Sequence, residues 1–155
     1  MNENHHPQRK KPTHGILSIP NQSAIIFDTV CTKNRQPWLA DPAVHQLLEQ
    51  TWKEASAWRV GRYVIMPDHI HFFAGESDSA IPYENWVKYW KSSFSRKFER
   101  PDCRWQSDHW ECRIRNEAQL EEKWHYVVYN PVRHRLVSRP ENWPYRGELF
   151  PLRWN

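Results

Sequence analysis

Two neighbouring apolar segments constrain the fold of this chain more than any other feature. They read RVGRYVIMP and HIHFFAG, cover residues 59–67 and 69–75, and are separated at Pro67-Asp68. Their content of Val, Ile, Tyr and Phe is typical of β-strands. Proline is poorly tolerated inside a strand, so one strand must end there before the next begins. The sequence therefore predicts two consecutive strands.

The second of these segments carries two histidines, His69 and His71. Alternate residues of a strand point to the same face, so both imidazoles share one face, about 7 Å apart at the backbone. Neutral imidazole is a common ligand of divalent metals, and the pair would form half of a metal site. The alternative is a pair of polar residues facing solvent, with Ile70 and Phe72 packed inward. Spacing alone does not decide between the two.

The first part of the chain predicts a strand and then a helix. Residues 23–32, SAIIFDTVCT, are apolar and β-branched and predict the first strand. Asp41 is a good N-cap with Pro42 at the first helical position, and apolar residues at helical spacing predict a helix to about Trp58. Residues 1–22 are polar and proline-rich, and we expect them to form a flexible arm.

The second half contains two further helical patterns. Between about Pro82 and Phe98, an aromatic residue recurs at every fourth position and predicts a helix with an apolar stripe. Residues 111–115 predict a short strand, and residues 117–129 predict a third helix. From about residue 131 the chain is rich in Pro, Arg and Trp, which predicts a basic and irregular tail.

The order of these elements predicts the fold class. Strand, helix, strand, strand, helix, short strand and helix are typical of a ferredoxin-like, or RRM-like, α+β fold. We expect residues 23–155 to form one such domain, with an antiparallel sheet and with helices packed on one face. Many unrelated functions use this fold, so the class alone does not indicate a function.

Composition and charge limit the broad classes of protein to which this chain can belong. The chain has 22 Lys and Arg residues against 18 Asp and Glu residues, a net charge of +4 that is compatible with a polyanionic partner. It has neither a run of transmembrane length nor a signal-peptide core, and its three cysteines have no disulfide-framework spacing. We therefore expect a reduced, cytoplasmic protein.

A second chemical motif lies in KWHYVVYNPVRH, residues 123–134. Tyr126 and Asn130 are four residues apart, so on one helix they share a face. A tyrosine phenol is a competent nucleophile toward phosphorus, and an asparagine carbonyl can complete a metal site. The alternative is ordinary aromatic packing followed by a helix-ending turn at Asn130-Pro131.

Taken in order, the segments MPDHIHFF, WQSDHWECRIRN, YVVYNPVRHRLV and ENWPY resemble the REP-associated tyrosine transposases. These are a branch of the single-tyrosine HUH endonucleases. The resemblance implies an enzyme that cuts single-stranded DNA beside hairpin-forming repeats and transfers the strand through a 5′-phosphotyrosine. It also implies a divalent cofactor, Mg²⁺ or Mn²⁺.

The resemblance also implies roles for individual residues. It makes His69 and His71 metal ligands, places Asn130 where related transposases have a third ligand, and makes Tyr126 the nucleophile. Tyr129 is a competing candidate, but it lies three residues away from the motif position. Where the family usually has a glycine, this chain has Arg135, and we expect arginine to favour a different turn.

Basic and aromatic residues outside these motifs are candidates for DNA contacts. The alternative for each basic residue is an ordinary surface charge that contacts only solvent. Trp143 and Tyr145 are candidates for stacking on exposed bases. The basic candidates are Lys88, Lys91 and Arg96 in the second helix, and Arg133, Arg135, Arg139 and Arg146 in the tail.

Two alternatives remain at the level of the sequence. One is a zinc site made of Cys103, His109 and Cys112, whose spacing lacks the second half of a zinc motif. The other is a domesticated module that binds hairpin DNA or RNA without cutting it. The sequence also leaves open whether the active site is built within one chain or shared in a homodimer.

Overall fold

The computed structural model of this chain describes residues 24–78 and 80–154, so the predicted arm lies outside the described residues. Helices and strands follow one another in nearly the predicted order. The strands are β1 (Ile25–Thr32), β2 (Trp58–Ile65), β3 (His69–Glu76), β4 (Trp105–Arg113) and β5 (Arg146–Glu148). The helices are α1 (Pro42–Glu54), α2 (Tyr83–Phe98), α3 (Glu117–Val128) and α4 (Asn130–Arg133), with short 3-10 turns at Lys33–Arg35 and Pro140–Asn142.

The five strands form one antiparallel sheet in the order β4-β1-β3-β2-β5. The first four strands of that order, β4-β1-β3-β2, have the ferredoxin-like arrangement, in which β1 and β3 occupy the centre. The predicted α+β class is therefore confirmed. The fifth strand was not predicted: it pairs with Arg62, Tyr63 and Val64 at the free edge of β2.

Helices cover both faces of the sheet. On one face α1 and α2 bury a large aromatic core, in which Trp52, Trp86 and Trp90 are almost wholly enclosed. The prediction that helices pack on one face holds for this pair. The third helix instead covers part of the opposite face, where Val127 and Trp124 pack against the sheet. Its position leaves the start of β3 on that face next to α3 and α4.

Several boundaries differ from the prediction for identifiable reasons. The N-cap of α1 is as predicted: Asp41 accepts hydrogen bonds from the backbone N–H groups of Ala43 and Val44 at 2.9 and 3.2 Å. The helix ends at Glu54, however, because Trp58 begins β2. The helix that the apolar spacing predicted is therefore too long at its C-terminal end, where the predicted range reaches the first residue of a strand. The fourth strand begins at Trp105, well before the predicted residues 111–115.

The tail is more ordered than its composition indicated. After β5, the backbone N–H groups of Leu149 and Phe150 donate to the carbonyl oxygens of Gly61 and Val60. Leu152 then fills the space beside two glycines: a Cβ atom at either Gly61 or Gly75 would lie 2.7 Å from the Leu152 side chain. The last residues of the described chain are thus packed onto the sheet.

The turn after α4 corrects one expectation. Arg135 has a φ of 59°, in the left-handed region that glycine adopts most readily. The expectation that arginine would favour a different turn is therefore wrong. Two backbone hydrogen bonds, from Arg135 N to Val132 O and from Leu136 N to Pro131 O, hold the turn in this conformation.

Replacing Arg135 by glycine is expected to stabilise the fold. A left-handed backbone costs a non-glycine residue on the order of 1 kcal/mol, and Arg135→Gly removes that cost. The free energy of unfolding in urea is the measurement. Arg139→Gly is the matched control, because Arg139 has an ordinary extended backbone with φ −133° and glycine gains nothing there. An unchanged or lower stability of Arg135→Gly would contradict the strain argument.

None of the helices in the described part of the chain combines the length and apolar character that crossing a bilayer requires.

Candidate active site

The two histidines of β3 come together on the face of the sheet that α3 partly covers. In the β1–β3 ladder, His69 lies opposite Cys31 and His71 lies opposite Thr29. Their Nε2 atoms are 3.1 Å apart. His69 is only 6% exposed. This convergence argues against the alternative in which both side chains simply face solvent. The two imidazoles are close enough to bind one ligand together.

Each imidazole is held through its other nitrogen. The carboxylate of Asp68 accepts a hydrogen bond from His69 Nδ1–H at 2.7 Å, which places the lone pair of His69 on Nε2, the atom that faces His71 and Asn130. The hydroxyl of Thr29 lies 2.8 Å from His71 Nδ1. Metal-binding histidines in proteins usually have such a partner on the nitrogen that does not bind the metal. The two rings are therefore oriented as ligands would be.

Asn130, the first residue of α4, completes the cluster. It is 4% exposed, and its amide group lies 3.3 Å from His69 Nε2. Because the oxygen and nitrogen of an amide exchange places by a half turn, the carbonyl oxygen can take the position nearest the histidine. Two nitrogen atoms and one oxygen atom then point to the same place. This donor set fits a divalent metal such as Mn²⁺ or Mg²⁺.

The surroundings keep both imidazoles neutral. Burial lowers the pKa of His69, and the nearby Asp68 offsets only part of this effect. Burial, together with the neighbouring charges of His69 and Arg133, lowers the pKa of His71 to about 3. Neutral imidazole is the form that binds metals. At neutral pH the pair is therefore ready to act as ligands.

Tyr126 lines the same cleft as His69, His71 and Asn130, a space of about 920 Å³. Its side chain is 60% exposed. The guanidinium group of Arg133 lies 3.9 Å from the centre of its ring and also donates a hydrogen bond to the Tyr126 carbonyl oxygen. An accessible phenol beside a cluster of groups that could hold a metal is an arrangement that suits nucleophilic attack on a phosphate.

Tyr129, the competing candidate, points elsewhere. It lies between α3 and α4, and its ring packs against His125 with a centroid distance of 4.9 Å. Among the residues that the structure describes, it does not line the cleft that holds the histidine pair. The geometry therefore favours Tyr126 over Tyr129.

Two residues of the cluster were missed at the level of the sequence. Asp68 precedes His69 in the motif MPDHIH, and its place directly before a candidate ligand was the signal for it. Arg35 had no such signal. It reaches the site because β1 and β3 are paired, and it donates hydrogen bonds to Asp68 Oδ2 at 3.0 Å and to Cys31 Sγ at 2.9 Å. It thereby holds the carboxylate that orients His69.

The basic candidates are divided between the two faces of the sheet. Arg133 and Arg135 follow Asn130 directly, at or just after α4. Lys88, Lys91 and Arg96 belong to α2, which covers the opposite face, so the structure does not bring them to the cleft. The other two candidates, Arg139 and Arg146, lie in the tail, at its 3-10 turn and in β5.

Two of the side chains predicted to contact DNA are enclosed by the fold. The ammonium group of Lys91 donates to the Gln106 carbonyl oxygen at 2.8 Å, and burial lowers its pKa. This position does not suit a phosphate contact. Trp143 is 8% exposed and donates from its indole to the Ile65 carbonyl oxygen, so the prediction that it stacks on bases is wrong. Tyr145 packs beside it.

The alternative zinc set of Cys103, His109 and Cys112 is not assembled. His109 and Cys112 are three residues apart on β4 and so point to opposite faces of the sheet. His109 contacts Asp28 and Glu84 on the α2 side, whereas Cys112 lines the cleft. Within the described residues, His109 instead forms a group with Glu84 and Glu111 whose potential ligand atoms lie within 4.8 Å of one another.

Comparison with known proteins gives related sequences but no family model that matches. A Haemophilus influenzae protein assigned to the REP-associated tyrosine transposases is 30% identical over an alignment of 111 positions, which covers 58% of this chain and 62% of the relative. The REP-associated tyrosine transposase of Escherichia coli is 25% identical over an alignment of 139 positions, which covers 83% of this chain and 82% of that protein. The chain thus spans less than two thirds of the first relative's length.

Solved structures agree with the fold. A REP-associated tyrosine transposase bound to a REP hairpin superposes with a TM-score of 0.70 and 22% identity, covering 81% of this chain and 76% of the other. A Deinococcus radiodurans protein described as a transposase gives a TM-score of 0.51 at 15% identity, covering 76% and 95%. These structures support the fold alone. The resemblance that the sequence motifs predicted is confirmed by the two related sequences, which are named REP-associated tyrosine transposases.

Proposed function

We propose that this chain is a metal-dependent endonuclease and strand transferase that acts on single-stranded DNA at hairpin-forming repeats. One observation carries the proposal: the donor atoms of His69, His71 and Asn130 converge on the cleft that Tyr126 lines. The names of the two relatives support it. A hairpin substrate is supported by the neighbouring structure, which holds a REP hairpin.

The reaction is an exchange of phosphate esters. The phenolic oxygen of Tyr126 attacks the phosphorus and loses its proton to solvent. A bond forms between phosphorus and the tyrosine oxygen, and the bond from phosphorus to the 3′ oxygen breaks. The 3′ oxygen takes up a proton, so the products are a 5′-phosphotyrosine and a free 3′-OH. Because the new ester keeps the energy of the broken one, a second 3′-OH can attack it without ATP.

A divalent metal held by His69, His71 and Asn130 would neutralise charge on the phosphate and align the leaving oxygen. The chain's own groups prepare that site. Asp68 and Thr29 orient the two rings, and burial keeps them neutral.

Arg133 contacts the proposed nucleophile, Tyr126, and orients it. Its guanidinium group lies over the Tyr126 ring and bonds to the Tyr126 carbonyl oxygen, which restricts where the phenol can point. Positive charge beside the phenol also favours the approach of a phosphate. We further propose that Arg133, Arg135, Arg139 and Arg146 contact the DNA backbone outside the reacting bond.

Unpaired DNA is expected to be the substrate. The reacting phosphate must reach a tyrosine and a buried histidine pair inside a cleft, and a rigid, fully paired duplex does not bend into such a space. We expect covalent adducts with a hairpin that carries a single-stranded flank, and none with a blunt duplex of the same sequence. The measurement is a denaturing gel of labelled DNA. Equal cleavage of the blunt duplex would contradict the proposal.

Salt dependence of hairpin binding tests where the DNA lies. Each phosphate contact releases counterions, so affinity should fall steeply with salt, and Arg135→Gln should reduce the slope of log K against log salt by about 1. Arg96→Gln removes the same charge from α2 on the other face of the sheet, and the slope should not change. Binding titrations at several salt concentrations are the measurement. An effect of Arg96→Gln equal to that of Arg135→Gln would place the DNA elsewhere.

A further inference from the structure

On the sheet face opposite the cleft, a buried histidine lies between two carboxylates. His109 Nδ1 is 2.8 Å from Asp28 Oδ2, and His109 Nε2 is 2.6 Å from Glu84 Oε2. The His109 side chain is 2% exposed. Asp28 is fully buried and also accepts a hydrogen bond from the Tyr83 hydroxyl at 2.6 Å. The fold therefore holds one imidazole between two carboxylates on this face of the sheet.

A third carboxylate reaches the same place because of strand pairing. Glu111 lies directly across from Asp28 in the β1–β4 ladder and two residues along from His109, on the same face. One ligand atom from each of Glu84, His109 and Glu111 lies within 4.8 Å of the other two. Two oxygen atoms and one nitrogen atom thus come from two separate elements, α2 and β4.

The environment of this cluster favours a cation. Three carboxylates, those of Asp28, Glu84 and Glu111, lie around a single imidazole. Within the described part of the chain, the second oxygen of Asp28, Oδ1, has no hydrogen-bond partner. A buried carboxylate on one imidazole nitrogen, with oxygen ligands near the other, is the usual surrounding of a metal-bound histidine.

We infer that Glu84, His109 and Glu111 form a second divalent-metal site, in which Asp28 orients the histidine ring. Imidazole with carboxylates is a ligand set that suits Zn²⁺ and related transition metals. The metal takes the place of a proton on His109 Nε2, and it joins the first turn of α2 to β4, which is an outer strand of the sheet. Its role is structural, and it does not depend on the function proposed for the cleft.

Zinc titration of the full-length chain tests this site directly. The protein is stripped of metal with a chelator and titrated with Zn²⁺ against a competing indicator. Wild type should bind two equivalents, and the variant with both His69→Ala and His71→Ala should bind one. Adding Glu84→Gln to that variant should weaken the remaining site at least about tenfold. Asp102→Asn, at an exposed carboxylate that is not part of the cluster, is the matched control and should leave binding unchanged.

Thermal unfolding gives a second readout that does not rely on counting metal ions. Zn²⁺ should raise the Tm of the variant that lacks both cleft histidines, and Glu84→Gln or Glu111→Gln should abolish the rise. Circular dichroism checks that each variant remains folded. If the variant without cleft histidines binds no zinc, or if neither glutamine substitution weakens binding, the inference is overturned and His109 is only an ion-paired imidazolium.

Discussion

Tyr126→Phe is expected to abolish the covalent protein–DNA adduct while leaving the fold and the binding of metal and hairpin DNA intact. The substitution removes one oxygen atom and keeps the ring, and with it the contact with the Arg133 guanidinium. Without that oxygen no ester with phosphorus can form. The measurement is a denaturing gel of labelled single-stranded DNA, with mapping of the adduct peptide in the wild type.

Tyr129→Phe is the matched control for this experiment. The Tyr129 ring packs on His125 and, among the described residues, is not part of the lining of the cleft. The variant should form adducts as the wild type does. If Tyr129→Phe alone is inactive, the motif assignment is wrong by three residues. If the wild type forms no adduct on any hairpin, the chain is a binding module that no longer cuts.

His69→Ala is expected to eliminate cleavage through loss of the metal. Removing a ligand should weaken metal binding by more than the roughly 10–100-fold that losing an outer partner costs, and Asp68→Asn should show that smaller loss. Isothermal titration with Mn²⁺ measures affinity separately from activity. His125→Ala, an exposed histidine on α3, should match the wild type in both assays. Full cleavage in excess EDTA would exclude a role for the metal.

The same histidines set the pH range of metal binding. With an ordinary histidine pKa of about 6.5, protons would begin to compete with the metal near that pH. Burial lowers the pKa of both His69 and His71, that of His71 to about 3, so protons should compete with the metal only at lower pH. For the metal-free chain, the unfolded state takes up protons near pH 6.5 and the folded state does so only below that. Stability should therefore fall as pH drops below 6.5.

Local patterns were predictable from the sequence, and contacts between distant segments were not. The cap at Asp41 and the shared orientation of His69 and His71 depend on neighbours within a few residues. The spacing of Tyr126 and Asn130 is also a local feature, although the two residues lie in different helices, α3 and α4, which are separated at Tyr129. These features follow from the period of a helix or a strand.

The remaining features depend on how strands and helices pair. Asp28 and Glu111 are 83 residues apart and meet only because β1 and β4 are neighbours. Arg35 reaches Asp68 for a similar reason, through the pairing of β1 with β3. Conversely, His109 and Cys112 are close in the sequence and were considered as ligands of one zinc ion. They lie on one strand at positions whose side chains point to opposite faces of the sheet. Burial of Lys91 likewise depends on β4 packing beside α2.

The short strand β5 has a consequence for how this chain behaves in solution. An outer strand whose backbone N–H and C=O groups lack partners acts as a template for another chain. Arg146, Gly147 and Glu148 occupy that position beside β2, and Leu152 fills the hollow left by two glycines on the adjoining strands. Loss of the last ten or so residues would uncover both at once. The C-terminal segment thus covers an edge of β2 that would otherwise favour edge-to-edge association, and we expect a chain that lacks this segment to aggregate more readily than the full chain.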